Sequence, residues 1–238
     1  MGYIECPPAL ETIAKNIELV KTRITEACKR SGRTPESVEL IAVSKTFQPD
    51  HIREAARAGV LDFGENYVQE FRAKQEELGG LGLRWHFIGH LQTNKVKYII
   101  DSVHLVHSFD SAKLAREIQK RAVRPVDVLI EVHSTNEPSK SGVMPADVIS
   151  LVKEVAEFDK VRVRGLMTMG PFSDDPNDSR PSFRLVTELK ETIRRESIPN
   201  VSMDHLSMGM THDFEVAIEE GATLIRIGTA IFGERKTR

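Results

Sequence analysis

Cysteine is nearly missing from this 238-residue chain: only Cys6 and Cys28 occur, outside any CxxC or Cys/His spacing. That argues against a disulfide scaffold and a thiolate zinc site, and it suits a reducing compartment. An excess of one charge is also missing. The formal net charge is −2, with acids and bases interspersed and no basic run, so the electrostatic track that a nucleic-acid binder needs is not there. No uninterrupted apolar stretch opens the chain, whose start carries Glu5 and Glu11 around two prolines. A signal peptide and a membrane span are therefore not expected, and a cytoplasmic location is. Repeats, low-complexity tracts and linkers are lacking too. A chain of this length buries roughly 70–75% of its unfolded surface, so one core suffices without staples, and residues 1–238 are expected to form a single domain.

What is present is alternation. Apolar residues at Ile13, Ile17, Val20 and Ile24 give helical spacing over Leu10–Arg30, stopped by Ser31-Gly32. An apolar run at Val38–Val43 then reads as a strand feeding a helix from about Pro49 to Ala58. Further strands are expected at Val60–Phe63, Trp85–Ile88, Val103–Val106, Val126–Val132, Val161–Met169, Val201–Leu206 and Leu224–Ile227. Helices are expected near Val68–Leu78, Thr93–Ile100, Ser111–Val123, Ala146–Phe158, Ser182–Glu196 and Asp213–Glu220. Alternating β and α units imply a parallel sheet, and eight of them in about 200 residues favour a closed (β/α)8 TIM-type barrel over about 38–235, with an extra N-terminal helix. An open doubly wound sheet is the alternative. The loop-like stretches Thr135–Gly142 and Pro171–Pro181 follow strands, which in a barrel puts them at the C-terminal face where sites are built.

Lys45 closes the first barrel strand. By period-two alternation it shares a face with Ile41 and Val43, which aims an amine into the barrel mouth. Partial burial favours the neutral amine, the form that attacks an aldehyde carbonyl. The plainer reading is a solvated lysine at a strand end. Leu206-Ser207-Met208-Gly209-Met210-Thr211 follows the seventh strand and Gly228-Thr229 the eighth, the two positions where barrel enzymes hold a phosphate. Small residues there let backbone N–H groups reach anionic oxygens; each segment alone also reads as an ordinary glycine turn. Arg226 precedes Gly228 by two residues, so it is expected to point inward one layer below. A buried guanidinium needs a partner, either a pyridine nitrogen, which it would keep unprotonated, or a barrel carboxylate such as Glu65 or Glu131. Glu65-Asn66 and His86 are placed to line the mouth or to satisfy barrel backbone and water.

Other signals are weaker. The pairs His86/His90 and His104/His107 invite a metal, but strand and loop spacing does not converge them, and no metal is expected. Gly79-Gly80-Leu81-Gly82 precedes a strand, the wrong order for a dinucleotide fingerprint.

Several segments carry a resemblance. Val43-Ser44-Lys45-Thr46, Phe63-Gly64-Glu65-Asn66-Tyr67-Val68-Gln69-Glu70, Trp85-His86-Phe87-Ile88-Gly89 with Leu91-Gln92-Thr93-Asn94-Lys95, and Ser139-Lys140-Ser141-Gly142 come first. Arg164-Gly165-Leu166-Met167, Leu206-Ser207-Met208-Gly209-Met210 and Arg226-Ile227-Gly228-Thr229-Ala230-Ile231-Phe232-Gly233 follow. In this order, from about Val38 to Arg235, they resemble the pyridoxal 5′-phosphate (PLP) homeostasis protein family, also called the proline synthetase co-transcribed homologue family. The resemblance implies a barrel similar to the alanine racemase N-terminal domain, with PLP held as a Schiff base on Lys45. It implies Ser207, Gly228 and Thr229 at the phosphate, Arg226 facing the pyridine nitrogen, and Asn66 and Met208 near the cofactor. The chain departs from the family at His90, where a small residue or proline is expected, and at His133-Ser134-Thr135.

The resemblance implies a PLP carrier with little or no turnover, acting toward apo PLP-dependent enzymes and probed by colour. An amino-acid racemase is the alternative. That reaction needs a second base, a tyrosine that similar racemases draw from an additional β domain, and the tyrosines here are Tyr3, Tyr67 and Tyr98, with the chain ending at Arg238. A Schiff-base aldolase on a phosphorylated sugar is the third reading. A monomer is expected.

Overall fold

The computed structural model describes residues 10–135, 137 and 141–234. Tyr3, Cys6, residues 136 and 138–140 of the Thr135–Gly142 loop, with Ser139 and Lys140 of the family motif, and Arg235 lie outside the described residues.

The first helix, α1 (Leu10–Arg30), buries the stripe that its spacing dictates, Ile13, Ile17, Val20 and Ile24, extended by Ala27 and Cys28. Eight strands follow: β1 (Glu39–Val43), β2 (Asp62–Glu65), β3 (Arg84–Phe87), β4 (Leu105–Phe109), β5 (Val126–Glu131), β6 (Val161–Met167), β7 (Val201–Ser207) and β8 (Leu224–Ile227). All pair in parallel in chain order, and the sheet closes where β8 meets β1 from Glu39↔Leu224 to Ala42↔Ile227. Parallel neighbours need crossovers. These are α2 (Pro49–Arg57), α3 (Val68–Leu78), a 3-10 segment Thr93–Tyr98, α4 (Ala112–Arg121), α5 (Val148–Val155), α6 (Arg180–Arg195) and α7 (Phe214–Glu219), with α8 (Thr229–Phe232) after β8. The architecture is the expected (β/α)8 barrel with an additional N-terminal helix.

Two elements differ from expectation. Thr93–Tyr98 winds as 3-10 rather than α, since its only buried residue is Val96 and no side chain caps its start. That turn retains Val103 through a bond from its N–H to Ile99 O, so β4 begins at Leu105 instead of Val103.

The larger core lies between the barrel wall and the helices. Phe63, Trp85, Phe71 and Phe87 meet there with ring centroids 5.9–6.3 Å apart; burying each phenyl stabilises the fold by about 1.5–3 kcal/mol. Inside the barrel the apolar plug is small: Ile41, Leu105, Leu129, Met167 and Leu224. The rest of the interior is polar. The α1 helix stiffens the end of the fold that carries the phosphate-type loops, because Asn16 Nδ2 donates to Ile231 O of α8 and Arg23 grips Glu215 of α7 with two 3.0 Å bonds. No helix among the described residues is long and apolar enough to cross a membrane.

Candidate functional site

The end of β1 is held from behind. Ser44 donates its amide to Gly64 O and its hydroxyl to Glu65 Oε1 at 2.6 Å. Lys74 of α3 donates to Ser44 O, Glu65 Oε1 and Glu70 Oε2 at 2.8–2.9 Å. Thr46 takes a left-handed φ of 71° and donates its N–H to Glu70 Oε2. Both neighbours of Lys45 are therefore fixed, and Lys45 itself is half-buried at the C-terminal end of the strand. Burial works against ionisation of Glu70, but the Thr46 N–H, Lys74 and Lys45 hold its carboxyl below the usual range. Glu65 is pushed up by burial despite Lys74. Glu65 thus faces α3, not the mouth, since Asp62 and Gly64 take the inward positions of β2.

Arg226 lies inside the barrel, on the face shared with Leu224 of the plug. Its Nη1 donates to Ser207 Oγ at 2.5 Å and its Nη2 to Thr168 O at 2.9 Å. Neither Glu65 nor Glu131 forms an ion pair with it, nor does any other described carboxylate. Burial lowers its pKa to about 10 against the pull of Asp213 and Glu131. It remains a cation at neutral pH, with two of its five donors used.

Two backbone segments flank it. After β7, Met208 buries its side chain in the outer core, leaving only main chain toward the mouth. Gly209 follows at φ 90°, where a β-carbon would stand 2.5 Å from that of Ala217, so a glycine is required for the loop to close on α7. Asp213 ties this loop by accepting from Met210 N and Ser179 Oγ. After β8, the N–H groups of Gly228 and Thr229 meet no acceptor among the described residues. Thr229 is exposed. On the opposite rim, Asn66 is pressed by Gly89, where a β-carbon would fall 2.4 Å from Asn66 O. The Asn66 Oδ1 is buried without a partner among the described residues.

The departures from the family pattern sit on the rim. His90 pairs with Asp110 at 3.3 Å and is exposed. His133 donates its N–H to Val143 O, while its Nε2 is buried without a partner among the described residues. A groove of about 460 Å³ lined by Arg72, Lys95 and Tyr98 lies on the barrel flank and includes none of the residues above.

Comparison with known proteins gives this geometry a lineage. The family model of the alanine racemase N-terminal domain matches residues 9–236. A pyridoxal phosphate homeostasis protein of Aquifex aeolicus is 51% identical over 93% of this chain and 98% of its own length. The chain belongs to the pyridoxal phosphate homeostasis protein family. Among solved structures similar to it is PipY of Synechococcus elongatus with PLP bound, at a TM-score of 0.81 and 34% identity, covering 93% of this chain and 100% of that one. Alanine racemase of Corynebacterium glutamicum superposes at a TM-score of 0.72 with 17% identity over 95% of this chain and 62% of its own, a likeness of fold alone.

For a member of this family the polar barrel interior is the feature that sequence reasoning missed. It considered only the pairs His86/His90 and His104/His107, and set them aside as not converging. The fold instead joins His86 Nδ1 to His107 Nε2 at 2.9 Å, His86 Nε2 to Asp62 Oδ1 at 3.0 Å, and His107 Nδ1 to Ser207 Oγ at 2.8 Å. The available signal was the period of two, which puts His86, His107 and Ser207 on inward faces. The register that makes them neighbours is not written in any one strand.

Proposed function

We propose that this chain holds PLP at the C-terminal face of the barrel, through Lys45, and buffers or hands on that cofactor with little or no turnover of its own. The observation that carries the reading is Arg226, a buried cation with unfilled donors and no described carboxylate hydrogen-bonded to it. A buried guanidinium in that state calls for an acceptor from outside the chain.

The residues present fit the group. Lys45 offers an amine at a strand end whose two neighbours are fixed. Arg226 offers N–H donors to a ring nitrogen, Asn66 Oδ1 a buried acceptor to a ring hydroxyl, and the unclaimed N–H groups of Gly228 and Thr229 a cradle for phosphate oxygens. Ser207, buried against His107 and Arg226, and Met208, whose N–H is taken by Leu224 O, are read as cofactor residues on the resemblance. When bound, PLP supplies an aldehyde carbon and a pyridine ring that draws electrons. Arg226, a donor only, keeps the ring nitrogen an acceptor, which weakens that draw and favours retention over turnover.

The racemase alternative has distant fold likeness behind it and no described tyrosine bonded to this cluster. The barrel and α1 are read as one PLP-binding domain, monomeric and cytoplasmic, the buried free thiol of Cys28 agreeing with a reducing compartment. Apo PLP-dependent enzymes are the proposed recipients. Such a partner would meet Phe172, 98% exposed on the loop after β6.

The test is optical and chemical. The purified protein with PLP is expected to be yellow, to lose that colour in Lys45→Ala with the fold unchanged, and after borohydride to carry the pyridoxyl group on the Lys45 peptide. A pyridoxyl group on Lys95 or Lys140 instead overturns the assignment, and alanine racemisation lost in Lys45→Ala overturns the carrier reading.

A further inference from the structure

Two of the segments that carry the family resemblance, Phe63 to Glu70 and Leu91 to Lys95, run on from the mouth to the barrel flank. There α3 contributes Gln69, Arg72 and Glu76, and the 3-10 segment Lys95 and Tyr98, to the groove of about 460 Å³. Tyr98 is 42% exposed, and three cations crowd its ring: Lys97 Nζ lies 4.9 Å from the centroid, Arg72 Cζ 5.3 Å and Lys95 Nζ 5.9 Å. An exposed cation–π contact is worth only about 0.5–1 kcal/mol, and the three charges repel one another. None of the three forms an ion pair or a side-chain hydrogen bond with a described residue. Cations of the adjoining elements are matched, Arg53 to Glu77, Arg84 to Asp62 and Arg121 to Glu117.

The local acids are already committed. Residues 91–125 hold seven cations and three acids, in a chain of net charge −2. Asp101 accepts from Val123 N, Asp110 pairs with His90, and Glu117 accepts from Arg121. Lys120 and Lys97 add to the Arg121 bond in holding Glu117 below the usual range, so the positive surface runs on from the groove to α4. Among the described residues lining the groove, Glu76 is the one acid.

The chemistry of this surface favours one class of occupant. A small-molecule site relies on concave burial and converging polar groups, whereas Arg72, Lys97 and Tyr98 are all exposed. A nucleic acid repeats its phosphates along the strand and would meet Glu76 with the same sign. A protein segment can set carboxylates against the cations and keep an apolar contact for the ring. Tyrosine and arginine are also the residues that protein interfaces concentrate.

We propose that this groove docks an acidic segment of a partner protein, with its carboxylates on Arg72, Lys95 and Lys97 and an apolar side chain on Tyr98. Val68, which lines the groove, is two residues from Asn66 on the rim, a span of at most about 7 Å. The docked partner therefore stands beside the mouth. The groove lies between the crossovers that follow β2 and β3, across the barrel from Phe172 after β6, so the two are separate contact surfaces. Docking there does not depend on what the mouth holds.

The test titrates the whole protein with a peptide of repeated Glu-Leu-Asp units, its Gln-Leu-Asn counterpart, a uridine oligonucleotide and inorganic pyrophosphate, each located by ¹H–¹⁵N NMR. The acidic peptide is expected to saturate, to shift the amides of residues 68–76 and 93–98, and to weaken with added salt, while its uncharged counterpart stays unbound. Arg72→Glu and Lys97→Glu should each weaken it about tenfold, and Tyr98→Ala about fivefold. Lys29→Glu, the same change of charge on the exposed face of α1, should weaken it by less than about twofold. The spectra also show whether each variant keeps its fold. Shifts spread over the whole surface, or an equal loss in Lys29→Glu, reduce the effect to net charge and overturn the proposal. Tighter binding of the oligonucleotide or of pyrophosphate in the groove overturns it too, in favour of a nucleic-acid or a small-anion site, and so does the absence of saturable peptide binding.

Discussion

Lys74, behind the barrel wall, and Arg226, inside it, are both 5% exposed cations, and the protein treats them in opposite ways. Lys74 has three N–H donors, and all three are taken, by Glu65, Glu70 and the Ser44 carbonyl. Arg226 has five, and two are taken, by neutral oxygens. A buried charge satisfied from within belongs to the scaffold; one left short of acceptors waits for something the chain does not supply. The difference separates the two roles around Lys45. The Lys74 network fixes the strand end that presents the amine, and the Arg226 cluster provides the place for what the amine holds.

The comparison breaks most visibly at Lys74. Lys74→Met removes the counterion of Glu65, which is fully buried, and is expected to cost about 3–5 kcal/mol in urea unfolding near neutral pH. Ser44 O loses a donor in the same step. Because Glu65 is already pushed up by burial, protonation relieves the unpaired charge, so the loss should shrink on acidification. A loss below 1 kcal/mol would mean that the network is ornamental and that Lys45 is positioned by the strand alone.

Arg226→Met should do the reverse. It gives up two hydrogen bonds but also the burden of a buried, unpaired cation, so apo stability is expected to change by no more than about 1–2 kcal/mol. Retention of PLP, followed by dialysis and absorbance, should fall at least tenfold, whereas Lys74→Met should retain PLP in proportion to the folded fraction. If Arg226→Met unfolded the protein while holding PLP as before, the two cations would have to exchange roles.

The division between scaffold and site also marks what the sequence made legible. The α1 helix and α3 appear at the expected bounds because each carries its own stripe and stop signal, and Leu224–Ile227 because a short apolar run ends at a glycine. The positions of Lys45 at a strand end, of Arg226 inside the barrel and of Gly228-Thr229 after β8 were legible from the strand bounds and a period of two. Glu65, one of the residues offered as lining the mouth or pairing with Arg226, faces Lys74 of α3, because Asp62 and Gly64 take the inward positions of β2 and leave it on the outer face. The His86–His107 bond joins β3 to β4, where the register sets His86 against Leu105, a stagger fixed only when the barrel closes. The four-residue α8 was not foreseen, being too short for any period to show.

The smallest effect sharpens the comparison through pH, because Asp62 inside the barrel and Glu65 behind its wall are shifted in opposite directions. Asp62 is held below the usual range, so the folded state binds its proton less readily than the unfolded chain does. Its contribution is full above an unfolded pKa near about 3.9 and is lost as pH falls through the lower folded value. Glu65 is held above the usual range, so the folded state takes its proton first. Its penalty is full above the raised folded value and is relieved as pH falls from there toward an unfolded pKa near about 4.3. Urea unfolding as a function of pH should therefore show the two windows separately. Against wild type, Glu65→Gln should remove a rise in stability on acidification above about pH 4.3, and Asp62→Asn should remove a fall below about pH 3.9. Equal slopes for both variants would mean that the inner and outer networks titrate as one, and that the separation between a self-satisfied scaffold and an open site is not electrostatic.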